Sequence, residues 1–383
     1  MSSLPGHIGV NAVFLRPRMG GIEVMVKRLL PELQRLAPRT RFSVFVGPEG
    51  VEALRDQDWI GEVALQTHPV LGLPGGKAIS ELTLLGWLAP RRGVNLLYSM
   101  ALTGPLRTKA AHVVNVADTT WITHPDPGEM ATVRLWRAIV PPVVRRADRV
   151  VAISQAGRRD IVEHLRVPAE RIDVVLPGPG LDPHAVATAP AELRERLGLG
   201  SGPIVISVSA QKAHKNLMRL VEALRVVAER HPDVRLVLPG NVTDHGRELL
   251  AAAGELGIGD NVVLPGWVSD EDMEGIYGAA SVFVVASLAE GFGLPVVEAM
   301  RRGVPVASSN AGSLPEAGGD AARYFDPLDS RAIADAILVL LDDESLRASS
   351  IAKGRDRAAG LTWERSAQET LETFERAWQE RTR

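Results

Sequence analysis

Short apolar runs rich in β-branched residues recur along this chain, and each is followed by a longer segment of helical period. That alternation constrains the fold more than any other feature, because parallel strands need long crossover connections and interposed helices supply them. In the first half the strand candidates are residues 7–15, 42–46, 95–99, 113–116 and 149–153. Residues 23–36 follow a Gly-Gly pair and place Val26, Leu29, Leu30 and Leu33 at spacings of three and four, which gives one buried helical face. Pro177-Gly178-Pro179-Gly180 is too rich in breakers to continue any element and marks a linker. Beyond it the pattern restarts, with strands predicted at 204–208, 234–238, 262–264, 282–285 and 304–307. Helices are predicted between and after them at 217–228, 246–253, 270–277 and 295–301. The length of 383 residues suits two domains. The expected architecture is therefore α/β, with two Rossmann-like, doubly wound parallel-sheet domains over residues 1–178 and 185–360. An amphipathic helix at 363–378, within the terminal segment 361–383, is close enough to the end to pack back on the first domain.

Composition excludes several function classes. The chain has no Cys, so neither a disulfide framework nor a thiolate metal site is available. A net charge of -3 argues against a nucleic-acid partner. Residues 1–180 carry 22 Lys and Arg against 16 Asp and Glu, a net of +6, and the remainder is net -9. A basic first half suits an anionic lipid surface, and an unevenly charged solvated surface accounts for it equally well. The N-terminus lacks the basic and apolar regions of a secretory signal, and no stretch reaches about 18 apolar residues. The expectation is a soluble, cytoplasmic protein, at most peripheral at a membrane through its first domain.

Several familiar signals fail. Asp56 and Asp58 have the spacing of a divalent-ion site but follow a helical run, which reads as a surface turn. Asp270 and Asp272 share that spacing, yet Ser269 with Asp272 three residues on reads as a helix cap. Gly75-Gly76-Lys77 resembles a phosphate loop faintly, with Leu71 and Ala78 where the Walker pattern needs Gly and Ser or Thr. No GxGxxG opens a helix, and the nine His residues show no metal spacing. No cofactor and no metal are expected.

The informative stretch runs from Glu290 to Met300, directly after the predicted strand 282–285. Pro295 favours the first helical position, so a helix begins there and Glu298 sits one turn in. Gly291 and Gly293 let the backbone approach a ligand, and the free N–H groups at the helix start suit an anion such as phosphate. A carboxylate at Glu298 can accept two hydrogen bonds from a vicinal diol such as a ribose, and Glu290 in the loop can bind sugar hydroxyls. Together these parts suit a nucleotide-sugar. A leaving diphosphate also needs a cation. Lys212, His214 and Lys215 follow the predicted strand 204–208, where open α/β sheets place ligands. A lone lysine there reads as surface, and beside the glutamate loop it reads as a functional cation.

The Glu290…Glu298 motif, the Lys215-Asn216 pair and residues 309–327 resemble family 4 of the retaining glycosyltransferases, which have the GT-B fold. So do Gly20-Gly21-Ile22-Glu23, residues 147–154 and Thr362-Trp363-Glu364, so the likeness covers nearly the whole chain. It implies two domains facing a central cleft, with the first on the acceptor side and the second holding the nucleotide-sugar. By resemblance, Glu298 binds the ribose, Glu290 the donor sugar and Lys215 the diphosphate, helped by backbone N–H groups of Phe292, Gly293 and Leu294. Gly266-Trp267-Val268 corresponds to the base-contacting stretch, Gly240 to a glycine after the preceding strand, and the Gly20-Gly21 loop closes over the phosphates. The resemblance is to mannosyltransferase-like branches, which makes GDP-mannose the first donor expectation and a UDP-hexose the second. The implied partners are a nucleotide-sugar donor and a glycan or lipid-linked acceptor.

The sequence departs from the family pattern twice. Where members carry His-Asp after the strand corresponding to 113–116, this chain has Ala117-Asp118. Asp118 is carried over as a catalytic-site residue, and His124 is a candidate for the missing imidazole. Where many members have Arg five residues before the Lys, this chain has Ala210, so Lys212 or His214 is the candidate second cation. Two alternatives stay open: a GT-B sugar-nucleotide epimerase, and a binding protein without turnover. Glu316 reads as a donor-site carboxylate or a helix-start residue, and Trp87, Trp121 and Trp136 as an acceptor platform or core. The cluster Arg145, Arg146, Arg149, Arg158 and Arg159 reads as a lipid contact or a solvated basic face.

Overall fold

The structure, a computed structural model, describes residues 4–59, 64–66, 80–180 and 185–383. The chain divides into two units. One is Met1–Gly178 together with Thr362–Arg383, and the other is Pro179–Leu361.

The first unit is a seven-stranded sheet of β1 His7–Asn11, β2 Arg41–Phe45, β3 Ala64–Gln66, β4 Leu96–Ser99, β5 Ala111–Val116, β6 Arg149–Ala152 and β7 Ile172–Val174. Its order is β3-β2-β1-β4-β5-β6-β7, with every pairing parallel. Val10 of β1 lies opposite Val44 on one side and Tyr98 on the other, and all five residues of β1 are buried. The helix Gly21–Leu36 buries Val26, Leu29, Leu30 and Leu33, the apolar face read from the sequence. The terminal helix Trp363–Thr382 completes the same core, where Phe374 meets Tyr98 edge-on at a ring distance of 5.0 Å. Buried Arg149 anchors it, pairing with Asp173 at 2.7 Å and Glu380 at 3.0 Å.

The second unit is a six-stranded parallel sheet of β8 Ile204–Ile206, β9 Arg235–Val237, β10 Val262–Val263, β11 Val282–Val285, β12 Val306–Ser309 and β13 Arg323–Phe325. The order β10-β9-β8-β11-β12-β13 reverses direction between β8 and β11, where Val205 lies opposite Val282. Such a reversal opens a crevice at the carboxyl ends of the two strands. The helices Leu217–Arg230 and Ser330–Asp342 pack together over β8 and β11, burying Leu220, Leu224, Ile333 and Ile337.

Three short strands escaped the sequence reading, and each difference has a physical cause. Ile172–Val174 holds Asp173 at its centre, which is tolerated because Arg149 and Arg376 pair with it. Arg323–Phe325 shows only one buried position in three, and Ala64–Gln66 is equally short. The predicted strand 304–307 is displaced to Val306–Ser309. Pro305 has no N–H and contributes only its carbonyl, to Phe283 N–H at 3.0 Å, so the ladder begins after it. The predicted strand 7–15 stops at Asn11, whose side-chain oxygen accepts from Val13 N–H at 3.2 Å and turns the chain.

Other readings can also be placed. Asp56 and Asp58 are exposed beyond the helix Pro48–Ala53, and Ser269 caps the helix Asp270–Ala279 by accepting from Asp272 N–H at 3.2 Å. Gly75-Gly76-Lys77 lies outside the described residues. The arginine cluster is not a uniform solvated face. Arg149 is buried, Arg145 donates to Leu165 O at 2.7 Å and Arg158 to Ala169 O at 2.9 Å. Trp121 and Trp136 meet edge-on at 6.0 Å within a buried cluster, whereas Trp87 is exposed under Arg91. Among the described residues no helix is long and apolar enough to cross a membrane.

Candidate functional site

The loops that leave β8 and β11 flank the reversal in the second sheet, and they carry Lys215 and Glu290. After β8 the chain makes a 3-10 turn, Ala213–Lys215, then places Asn216 in the left-handed region at φ 58° and starts the helix Leu217–Arg230. Asn216 is buried, and its amide donates to Ala286 O at 3.0 Å and to Pro327 O at 2.7 Å, tying together the loops after β8, β11 and β13. Leu288 N–H donates to His214 O at 2.8 Å and closes the loops further. Lys215 and Glu290 are thereby brought face to face. The ammonium donates to both carboxylate oxygens, at 2.7 and 2.8 Å, and Ser287 Oγ adds a third bond at 2.7 Å. Burial opposes ionisation of Glu290, but the charge and hydrogen bonds of Lys215, the Ser287 hydroxyl and nearby His214 outweigh it and hold its carboxyl below the usual range.

Gly293 ends the glutamate loop at φ 109° and caps the helix Leu294–Arg301, with Pro295 in its first turn. Only glycine fits there: the backbone is left-handed, and a Cβ would sit 2.9 Å from Leu314 Cδ2. Ser313 Oγ donates to Glu290 O at 2.8 Å and fixes the loop from the side of β12. Gly291 and Leu294 are half-buried and Phe292 is buried, so the N–H groups assigned by resemblance lie at this helix start, beside the Lys215–Glu290 pair.

Glu298 lies on the same helix and is 8% exposed. One carboxylate oxygen accepts from Gly180 N–H at 3.0 Å, the other from Tyr277 OH at 3.1 Å. Burial raises its pKa above the usual carboxylate value, Glu274 adds to the rise, and Arg302, Tyr277 and the Gly180 N–H work against it. Sequence reasoning assigns no site role to Ser287, Ser313, Tyr277, Arg302 or Gly180. Only Arg302, one helical turn after Glu298, left a spacing signal.

The remaining site residues distribute as follows. Gly240 donates its N–H to Gly266 O at 2.9 Å, so the loops after β9 and β10 are joined next to the loop after β8. Val268 is half-buried and Trp267 exposed. Lys212 is half-buried at the start of the 3-10 turn. In the first unit, Gly20 at φ 68° precedes Gly21, and Glu23 pins that loop by accepting from Met19 N–H at 2.9 Å. Asp118 turns back on its own segment, where one oxygen accepts from Thr120 N–H at 2.9 Å and Thr120 Oγ1 at 2.6 Å. His124 is half-buried, with its Nδ1 3.0 Å from Thr123 Oγ1. Glu316 sits in the first turn of the helix Leu314–Gly318.

Sequence profiles match both halves of the chain. One, described as Glycosyltransferase Family 4, matches residues 19–182, and another, described as Glycosyl transferases group 1, matches residues 191–357. The chain belongs to the family 4 glycosyltransferases. As a member of that family it is similar to the O-antigen chain mannosyltransferase B of Escherichia coli, at 32% identity over 60% of this chain and 60% of that protein's length. It is also similar to the D-inositol 3-phosphate glycosyltransferase of Streptomyces scabiei (strain 87.22), at 28% identity over 99% of this chain and 88% of that one. The crystal structure of Anabaena HepE in complex with UDP-glucose covers 96% of this chain and 98% of its own, with a TM-score of 0.74 at 21% identity. That likeness gives this family member its fold: two Rossmann-like parallel sheets of the GT-B type.

Proposed function

We propose that this family 4 member is a retaining, metal-independent hexosyltransferase whose donor is a nucleotide-sugar, GDP-mannose first and a UDP-hexose second. The observation that carries the reading is the Lys215–Glu290 pair at the carboxyl ends of β8 and β11, beside a helix start that holds Glu298 one turn on. Two of the three ammonium donors of Lys215 go to Glu290, which leaves one for a diphosphate oxygen. The N-terminal amides of Leu294–Arg301 add partial positive charge for the same anion. Glu290, kept ionised, has lone pairs left to accept from hydroxyls of the donor sugar. The relatives named for mannosyl and glycosyl transfer, and the solved neighbour holding UDP-glucose, support the donor class.

In the proposed reaction the bond from the anomeric carbon to the diphosphate oxygen breaks, and a bond to an acceptor hydroxyl forms on the same face. The hydroxyl proton passes to the departing phosphate oxygen. This chain's residues contribute charge and position: Lys215 and the helix amides stabilise the diphosphate as its charge develops, and Glu290 orients the sugar. The acceptor is proposed to be a hydroxyl of a glycan or lipid-linked sugar.

A thermal-shift panel of GDP-, UDP-, ADP- and TDP-sugars tests the reading. Ligand at about 100 times its Kd should stabilise the native state by about 2.7 kcal/mol and raise Tm accordingly. No shift with any nucleotide-sugar would overturn the donor site. Loss of sugar transfer in chelator, restored by manganese, would overturn metal independence.

A further inference from the structure

Tyr277 lies outside every motif that marks this site, yet it is fully buried and donates to a carboxylate oxygen of Glu298 at 3.1 Å. Its ring is held on two sides. Phe283 of β11 stacks against it at a ring distance of 6.3 Å and 24°, and the Arg302 guanidinium lies over it at 5.0 Å. Arg302 is itself fixed, donating to Glu298 O at 2.9 Å and to Glu274 at 2.6 Å. The phenol is therefore clamped between β11, the helix Asp270–Ala279 and the last turn of Leu294–Arg301, with its hydroxyl aimed at Oε2 of Glu298. The other oxygen, Oε1, accepts from Gly180 N–H at 3.0 Å.

We infer that Tyr277 is the positioning residue for Glu298: its hydroxyl sets the rotation of that carboxylate and so the direction in which the remaining lone pairs meet the ribose diol of a nucleoside diphosphate. The inference rests on the donor-site reading of Glu298. A carboxylate gripping a vicinal diol must present its lone pairs in the plane of two hydroxyls, and a buried carboxylate bonded by a single N–H is free to rotate out of that plane. Tyr277 removes that freedom at low entropic cost, because its ring is already packed. The charged and titratable groups facing Glu298 are Tyr277 and Glu274 from one helix and Arg302 from its own. Among them the tyrosine hydroxyl is a neutral group that bonds the carboxylate directly, and its loss leaves Oε2 without that donor.

The experiment is calorimetric titration of the full chain with GDP and UDP and, in parallel, with 2′-deoxy-GDP and 2′-deoxy-UDP. The ribonucleotide of the pair that binds serves as the probe. Tyr277→Phe keeps the packing and should weaken that ribonucleotide by roughly tenfold, the worth of one hydrogen bond to a charged group, while changing its 2′-deoxy counterpart by less than about twofold. Its acid limb of ribonucleotide affinity should also move to higher pH, since Glu298 loses a bond that favours the ionised form. Glu298→Gln supplies the second arm: adding Tyr277→Phe to it should produce no further loss. A preference for the ribonucleotide that survives Tyr277→Phe unchanged, or a full additional loss in the double variant, would overturn the positioning role alone. Wild-type protein that binds neither GDP nor UDP would overturn the donor-site reading beneath it.

Discussion

Glu290 and Glu298 are buried carboxylates on one loop and helix, and their surroundings push them in opposite directions. Glu290 is held below the usual range by Lys215 and Ser287, whereas Glu298 is raised by burial that its partners only partly offset. Lys215 is the counter-charge of Glu290, and in the proposed function it is also the cation for the diphosphate. Lys215→Met should lower turnover by at least about a hundredfold, as loss of one charge-stabilising group does. It should also cost roughly 3 kcal/mol of stability, because an uncompensated carboxylate is left behind. Adding Glu290→Gln should return much of that stability in urea denaturation without returning turnover. If the single variant were as stable as wild type, the counter-charge role would fall. For Glu298 the sign runs the other way. Its native carboxyl takes up a proton at higher pH than the unfolded chain's does, so the burial cost is present above the native value and relieved as pH falls towards the unfolded one. Denaturation at pH 7 and pH 5 should therefore show wild type gaining stability relative to Glu298→Gln on acidification. A difference that stays constant with pH would contradict the raised pKa.

At the scale of elements, the site depends on three loops reaching the same point, and Asn216 is the latch that brings them there. Its amide bonds the loops after β11 and β13, and its left-handed backbone turns the chain from Lys215 into the helix Leu217–Arg230. Asn216→Ala gives up both bonds and the one Asn216 accepts from Arg219, and puts a residue less tolerant of the left-handed region there, which should cost roughly 3 kcal/mol. Asn216→Gly keeps the backbone free and isolates the bonds, so it should recover about 1 kcal/mol of that loss in the same denaturation measurement. Equal stability of the two variants would show that the backbone conformation is unstrained. Asn216 also marks where the sequence stops being legible. Lys215, Glu290 and Glu298 could be picked out as candidates from the spacing of the two glutamates around Pro295 and the lysine after the neighbouring strand, and Lys215 and Glu290 do meet. The bonds of Asn216, Ser287 and Ser313 could not be read, because a short polar side chain in a loop looks the same whether it faces water or a distant carbonyl. Tyr277 was hidden for a different reason: on the apolar face of an amphipathic helix its ring accounts for its presence and conceals the hydroxyl.

At the scale of the molecule, the alternation of apolar runs and helical segments was enough to read two parallel sheets, because strands buried on both faces leave a continuous apolar signal. The edge strands β3, β7 and β13 carry little of it. The C-terminal helix is different again, since its apolar stripe is plain but the partner of that stripe lies far away in the chain. Ala367, Leu371, Phe374 and Ala377 fill the core of the first unit, so residues 362–383 finish a domain that residues 1–178 begin. The second unit is continuous from Pro179 to Leu361 and carries Lys215, Glu290 and Glu298 itself. Truncation after Leu361 should therefore abolish cooperative unfolding of the first unit and leave that of the second. Phe374→Ala, which empties the contact with Tyr98, should lower the first unit's stability by about 3–5 kcal/mol without reaching the second. Scanning calorimetry in the presence and absence of GDP and UDP distinguishes the units, because on the proposed donor site the transition that nucleotide shifts is that of Pro179–Leu361. A truncated chain that keeps both transitions would show that the first unit does not need its terminal helix. One that loses the nucleotide-shifted transition as well would show that the second unit does not stand on its own core.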